Sequence, residues 1–135
     1  MTPGDQLRTS VDRATPLLHA ISDDVASAPT APEKWSRKQI LGHLIDSAAN
    51  NHQRFVRVEP DGFHYDQNLW VETQQYARAS WPSLIALWRE YNLHLAHVID
   101  AMPEETRTKL EALIAGYLEH LEHHLGQIVL PSSRA

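Results

Sequence analysis

Four long segments of this chain carry apolar residues at spacings of three and four, which is the period of an amphipathic α-helix. The segments extend over about residues 4–27, 36–58, 80–102 and 108–130. No run of strand length alternates between apolar and polar residues. Because amphipathic helices must bury their apolar stripes against one another, we predict an all-α fold, a four-helix bundle that forms one domain over residues 1–135.

Turn and capping residues mark the ends of these segments. Ser36 and Gln39 have the spacing of a capping box at the start of the second long helix. Ser80 can cap the third long helix, since Pro82 is tolerated in a first helical turn. Pro131 is predicted to stop the last helix.

Two features complicate this pattern. Pro16 lies within the first long segment, where it can kink or divide the helix. Asp66 can cap one short extra helix between the second and third long helices, which is predicted to contain Leu69, Trp70 and Tyr76. The sequence therefore predicts four long helices and one short one.

The composition excludes several kinds of site. The chain has no cysteine, which excludes disulfides, cysteine-ligated zinc, iron–sulfur clusters and a thiol nucleophile. With 12 Lys and Arg against 17 Asp and Glu the formal charge is −5, and the cations are scattered, which argues against a nucleic-acid partner. The start of the chain has no signal-peptide pattern, and no stretch approaches the roughly 18 apolar residues of a membrane span. We therefore expect a cytoplasmic protein without membrane contact.

Histidine is the unusual residue of this composition, with nine copies. Three of them, His120, His123 and His124, lie close together in the last long segment. Side chains four residues apart lie one above the other on a helix, so His120 and His124 can present two imidazoles to one metal ion while His123 points elsewhere. The alternative at this point is a polar helix face whose histidines are solvated or hydrogen-bonded.

The second long helix offers a third ligand. His43 is flanked by apolar residues and is therefore expected to face inward, and Asp46, Asn50 and Arg54 follow on roughly the same side of the helix. This polar stripe could instead form a hydrogen-bond network that fixes helix register. Three imidazoles on one ion would leave coordination positions open for water or substrate, as in catalytic rather than structural sites.

Sequence motifs in both helices resemble those of a known family. The segment HLIDSAANNHQRF, which begins at His43, resembles the second-helix signature of the DinB/YfiT-like metalloenzymes, and HLEHHLGQI, which begins at His120, resembles their last-helix HxxHHxxQI motif. The similarity includes YDQNLW at residues 65–70 and extends loosely over most of the chain. It implies a four-helix bundle in which His43, His120 and His124 bind a divalent metal ion.

The resemblance also implies two kinds of reaction on a small-molecule substrate. Members of the family are described as metal-dependent hydrolases, and some branches transfer a low-molecular-weight thiol such as bacillithiol or mycothiol. A histidine-bound Zn²⁺ or Ni²⁺ would lower the pKa of a bound water or stabilise a thiolate, so the chemistry suits both reactions. Zn²⁺ and Ni²⁺ are the first candidates, with Fe, Mn and Cu left open, since imidazole suits several transition metals. The alternative from another class is a non-catalytic metal-binding or stress-associated protein in which the ion is structural.

Three further residues are candidates for roles around the ion. Asp46 could accept the second N–H of a ligating histidine or handle a proton, or else be a surface carboxylate paired with a cation. Arg54 could orient an anionic group of a substrate, or else close one end of the bundle through acidic partners. Trp70 could cover a substrate, since the resemblance places its short helix near the mouth of the metal site. His94 and His97 are weaker candidate ligands.

Two expectations concern the whole protein. Bundles of this kind often pair through exposed apolar helix faces, so a homodimer is one expectation, although no specific patch defines its interface. Histidine must be neutral to bind a metal, so the ion should be released on acidification through the usual range of the histidine pKa.

Overall fold

The structure of the protein is a computed structural model that describes residues 1–129. Within that range the chain forms seven α-helices and one 3₁₀ turn, and no strand. The elements are α1 (Pro3–His19), α2 (Asp23–Ser27), α3 (Arg37–Arg57), α4 (Gln67–Thr73), the 3₁₀ turn (Tyr76–Arg78), α5 (Trp81–Ala101), α6 (Glu104–Lys109) and α7 (Glu111–Val129). The all-α prediction is confirmed, and the four long helices α1, α3, α5 and α7 form the bundle.

The bundle places α1 and α3 at opposite corners. Each of them packs against both α5 and α7, while α2, α4 and the 3₁₀ turn pack against α3. The core contains fully buried aromatic and aliphatic side chains from all four long helices: Leu7, Leu18, Leu41, Leu44, Trp81, Trp88, Leu95 and Leu121. Because α3 is surrounded on several sides, a polar residue on its inner face is held away from water.

Three helix starts follow the capping prediction. At α3 the Ser36 hydroxyl accepts the backbone N–H of Gln39 at 3.2 Å, and the Gln39 side chain accepts the Ser36 N–H at 2.9 Å. The Ser80 hydroxyl accepts the backbone N–H of Ser83 at the start of α5, with Pro82 in the first turn, and the Asp66 side chain caps α4. These bonds satisfy backbone donors that a helix start leaves free, so the capping residues fix where each helix begins.

The first long segment is two helices rather than one. Pro16 lies within the last turn of α1, and the helix continues over it to His19 before the chain turns. The indole N–H of Trp81 donates to the carbonyl of Leu18 at 2.9 Å, and the Ser22 hydroxyl caps α2. A tertiary hydrogen bond and a local cap thus end the helix, where the periodicity alone predicted its continuation to Ser27.

Two other predicted bounds were wrong. The last segment is divided by Leu110, which leaves helical geometry at φ −100° and ψ 7° and is fully buried between α6 and α7. Tyr76 lies beyond α4 in the 3₁₀ turn, because Gln75 adopts a left-handed conformation with φ 54°. The predicted stop at Pro131 lies outside the described residues.

Gly42 lets the 3₁₀ turn approach α3 closely. A Cβ atom at this position would overlap the ring of Tyr76, so a side chain here would displace the turn. Within residues 1–129 no helix is both long enough and apolar enough to cross a membrane.

Candidate metal centre

Three histidines from two helices meet at one point of the bundle. His43 comes from α3, and His120 and His124 stand one turn apart on α7; we call these three residues the histidine triad. One ring nitrogen from each lies within 4.8 Å of the other two, and the Nε2 atoms of His43 and His120 are 3.2 Å apart. In the part of the chain that the structure describes, no other set of three histidine or acidic side chains comes this close.

Local packing explains why the imidazoles converge. His43 is only 1% exposed because it lies within the buried stretch of α3, and the ring of Trp35 packs against it with 5.3 Å between ring centroids. His120 and His124 are half-buried, and their ring centroids are 4.5 Å apart, as expected for a spacing of four on one helix. The triad therefore has one deeply buried member and two members near the edge of the bundle.

Burial keeps the triad uncharged at neutral pH. Desolvation, together with the neighbouring His120 and His124, lowers the pKa of His43 from 6.5 to about 4. Desolvation and the adjacent imidazoles of His124 and His123 likewise lower the pKa of His120 to about 4. The pKa of His124 is also lowered by burial, against a hydrogen bond that it donates to Gln127 and that raises the pKa. All three side chains are thus neutral imidazoles, the form that binds a metal ion.

Gln127 orients one of the three rings. The Nδ1 atom of His124 is 2.7 Å from the Oε1 atom of Gln127, and since an amide oxygen only accepts, Nδ1 carries the proton. The lone pair of His124 then lies on Nε2. Ligating histidines usually donate their second N–H to such an acceptor. No role was predicted for Gln127 from the sequence, although its place three residues after His124 in the last-helix motif was the available signal.

The donor set of the triad fits a divalent transition metal. A neutral imidazole has one donor and one acceptor nitrogen, so the contact between His43 and His120 can use only one proton. The buried Nδ1 atom of His43 has no hydrogen-bond partner among residues 1–129. A cluster of three neutral imidazoles therefore offers more lone pairs than the described residues satisfy, and a metal ion with nitrogen ligands would use them.

Asp46 is turned toward the 3₁₀ turn. Its Oδ1 atom accepts hydrogen bonds from the Tyr76 hydroxyl at 2.5 Å and from the Gln74 side chain at 2.7 Å. The carboxylate is 2% exposed; burial raises its pKa, and the two hydrogen bonds oppose that rise. These contacts tie α3 to the segment after α4. A role of Asp46 beside the ion stays a prediction.

Arg54 closes the turn that follows α3. Its guanidinium donates to the carbonyls of Glu59 at 3.0 Å and Pro60 at 2.6 Å, and to the side chain of Asn51 at 3.4 Å. The guanidinium also lies over the ring of Phe63. The alternative role predicted for Arg54 was to close one end of the bundle through acidic partners. In the structure its main partners are backbone carbonyls instead.

A groove between α3 and α7 connects Arg54 with the histidine triad. Its volume is about 340 Å³, and it is lined by residues of both helices, of the loop before α4 and of the start of α4: Ser47, Asn51, Arg54, Tyr65, Gln67, Ala112, Leu113, Gly116, Tyr117 and His120. Of the predicted site residues, His120 and Arg54 thus share one groove. A larger cavity of about 620 Å³ lies between the start of α1, α6 and α7 and includes none of the triad.

Trp70 lies beside this groove rather than in its lining. Its ring contacts Tyr65, with 5.7 Å between centroids, and it borders a separate surface pocket with Leu69. Among the described residues, Trp35 packs against the triad through His43, a contact that was not predicted from the sequence. Its place in the loop before α3 gave no periodic signal for that contact.

A second group of histidines lies between α3 and α5. The Nδ1 atom of His52 is 2.9 Å from the Tyr91 hydroxyl, and the ring of His94 packs against His52. His94 and His97 are exposed. This group lacks the three close ligand atoms of the histidine triad.

The fold and the histidine triad together describe a helical-bundle protein with a candidate metal centre between two facing helices. The DinB superfamily matches residues 6–128, and the chain belongs to this superfamily. A similar solved structure is that of YfiT from Bacillus subtilis, described as a probable metal-dependent hydrolase with an unusual four-helix bundle topology. It has a TM-score of 0.73 and 20% sequence identity, over 93% of this chain and 83% of that one, so the two proteins share a fold. No curated protein sequence matches the chain.

Proposed function

We propose that this protein is a divalent-metal-dependent enzyme that hydrolyses a small molecule. The observation that carries the proposal is that the histidine triad meets at one end of the groove, with His120 belonging to both. Three protein ligands leave at least one coordination position for water or substrate, and the groove gives a small molecule access to it. The description of YfiT as a probable metal-dependent hydrolase supports the same class of reaction.

The residues of the chain would hold the ion and shape its surroundings. When bound, a divalent ion supplies Lewis acidity that lowers the pKa of water toward neutrality. His43, His120 and His124 would hold it through their neutral rings, and Gln127 would keep His124 in the ligating tautomer. The indole of Trp35 packs at a tilt against the ring of His43.

Metal content tests the first part of this proposal. We expect about one divalent ion per chain after purification or reconstitution with Zn²⁺ or Ni²⁺, measured by elemental analysis. His120→Ala should lose the ion, whereas His123→Ala is the matched control because His123 is exposed on the same helix and lies outside the triad. Wild-type protein that binds no divalent ion even after reconstitution would refute the proposal.

The open position is tested on cobalt-substituted protein. We expect the visible spectrum of bound Co²⁺ to change on addition of azide, and metal-dependent cleavage of a panel of esters and amides to stop on chelation. A spectrum that responds to low-molecular-weight thiols, without hydrolysis, would instead indicate thiol transfer at the same site. A spectrum that no added molecule changes would indicate a structural ion.

A homodimer and a cytoplasmic location stay predictions, which chromatography and cell fractionation can test.

A further inference from the structure

The groove between α3 and α7 has walls of different chemistry, and this difference indicates the kind of molecule that it takes. This inference rests on the proposed function, since it concerns the substrate of the same site. The wall from α3 is polar and is built by Ser47, Asn51 and Arg54, which follow one another at spacings of four and three. The Asn51 side chain donates to the Ser47 carbonyl at 2.8 Å and accepts from Arg54, so the three residues form one connected stripe.

The wall from α7 is mostly apolar, with Ala112, Leu113, Gly116 and Tyr117 before His120. Ala112 and Gly116 lie one turn apart on it, with His120 one turn further along. A Cβ atom at Gly116 would meet nothing within 4 Å, so packing gives no reason for glycine here. Glycine in a helix interior also lowers helix stability relative to alanine. Gly126 on the same helix is equally free of contacts, but only Gly116 lines the groove, where the absence of a side chain leaves the groove wider.

The charge of the groove favours an anion. Arg54 is the one charged side chain among the described residues that line it, and none of these residues is acidic. Three of its five N–H groups hold the turn after α3 and the side chain of Asn51, which fixes the position of the guanidinium. Burial, with a smaller effect of Asp46, raises the pKa of Tyr65 to about 12, so the hydroxyl of this lining residue is a hydrogen-bond donor at neutral pH.

The two chemically distinct ends lie far apart. Ala112 precedes His120 by two turns of α7, which corresponds to about 12 Å along the helix axis. Arg54 lies at the end of the groove away from the triad, because α3 carries it three turns beyond His43. A ligand that reaches both ends must be extended, and the volume of about 340 Å³ lies at the lower end of the range for small-molecule sites.

We infer that the groove binds a small, extended carboxylate, with its anionic end at Arg54 and its reacting group beside His120, and that Gly116 sets the width available to its apolar middle. The hydrogen bonds to Asn51 and Pro60 use one N–H each of Nη1 and Nη2, so one N–H on each of these atoms is left to meet the two oxygens of a carboxylate. Gly116 thus limits the width of the substrates that fit, and Arg54 sets their orientation in the groove.

The test is a series of binding titrations, detected by NMR, on the zinc-loaded and the metal-free protein. The probes are N-acetylglycine, N-acetyl-4-aminobutyrate, N-acetyl-6-aminohexanoate and the carboxamide of the longest acid. We expect affinity to rise with chain length, and the longest acid to bind at least about tenfold more tightly than its uncharged carboxamide. Arg54→Gln should remove the difference between acid and carboxamide.

Two glycine variants provide the matched comparison. Gly116→Leu places a side chain in the groove, whereas Gly126→Leu places the same side chain on the same helix, at a second glycine whose Cβ would meet nothing within 4 Å. We expect Gly116→Leu to weaken binding of the longest acid at least about tenfold and Gly126→Leu to leave it unchanged. Both variants should fold, because leucine is a better helix former than glycine.

The outcomes separate this inference from the proposed function. Equal binding of acid and carboxamide, unchanged binding to Gly116→Leu, or no binding of any probe to folded protein would overturn the inference, while the metal content stands on its own. Wild-type protein that binds no divalent ion but still binds the longest acid more tightly than its carboxamide would instead overturn the proposed function.

Discussion

Replacement of His43 by leucine in the metal-free protein tests the electrostatics of the site. In the folded chain the pKa of His43 is lowered from 6.5 to about 4, chiefly by burial. As the pH falls below 6.5 the unfolded chain binds a proton at this residue, whereas the folded chain does not until the pH approaches 4. The free energy of unfolding must therefore decrease between these two pH values.

The size of this decrease follows from the two pKa values. One pKa unit corresponds to about 1.4 kcal/mol, so the full contribution of His43 is about 3.4 kcal/mol once the pH is below both values. At pH 5, where the unfolded chain is almost fully protonated and the folded chain is not, the contribution is about 2 kcal/mol. His120, whose pKa is also lowered to about 4, adds to the same trend.

Urea unfolding at pH 7 and pH 5, in the presence of a chelator, measures the effect. His43→Leu removes the titrating group and keeps an apolar side chain in the buried position, so the loss of stability between the two pH values should be smaller by about 2 kcal/mol in the variant. The comparison of two pH values within each protein cancels any constant change in stability. If wild type and variant lose the same stability between pH 7 and pH 5, His43 is not buried as a neutral imidazole and the argument fails.

Four further outcomes follow from the same contacts. Tyr76→Phe removes the hydrogen bond to Asp46 and should lower the free energy of unfolding by about 1.5–3 kcal/mol in urea titrations, and an unchanged midpoint would contradict the bond. Gly42→Ala should cost about 1–3 kcal/mol because the new methyl group overlaps the Tyr76 ring; a neutral effect would place that ring elsewhere. Gly116→Ala and Gly126→Ala should each raise stability by about 0.5–1 kcal/mol, seen as a higher Tm, since neither methyl group meets an obstacle. Bound metal should persist well below pH 6.5 and leave as the pH approaches 4, because protons compete weakly for rings with lowered pKa values. Elemental analysis of protein dialysed at each pH measures the bound metal, and release near pH 6.5 would contradict this expectation.

Helical spacing predicts two parts of the triad, and the resemblance to the DinB/YfiT-like family predicts that they meet at one ion. His120 and His124 converge because a helix brings residues four apart together, and His43 faces inward because apolar residues flank it on α3. Both features follow from the helical period alone. The depth of burial needs more, since it depends on α2, α4 and the 3₁₀ turn packing around α3. The sequence therefore predicted acid release in the usual histidine range, whereas burial moves the expected pH downward.

The partners from loops could not be predicted in this way. The contact of Trp35 with His43 depends on the path of residues 28–36, and the hydrogen bond from Tyr76 to Asp46 depends on the left-handed Gln75. Neither loop has a periodic pattern. The break at Leu110 is likewise set by burial of one side chain between two helices, which competes with a continuous helical period.

The burial of α3 has a consequence for how such a protein can change over evolutionary time. Every residue from Ile40 to Ala48 is buried, so a substitution there must fit neighbours on all sides of the helix. The outward face of α7 and the segment 58–66 carry far fewer constraints of this kind. New substrate preferences would therefore arise most readily through changes in α7 and that loop, while the buried stretch from Ile40 to Ala48 is retained and continues to supply the inner ligand.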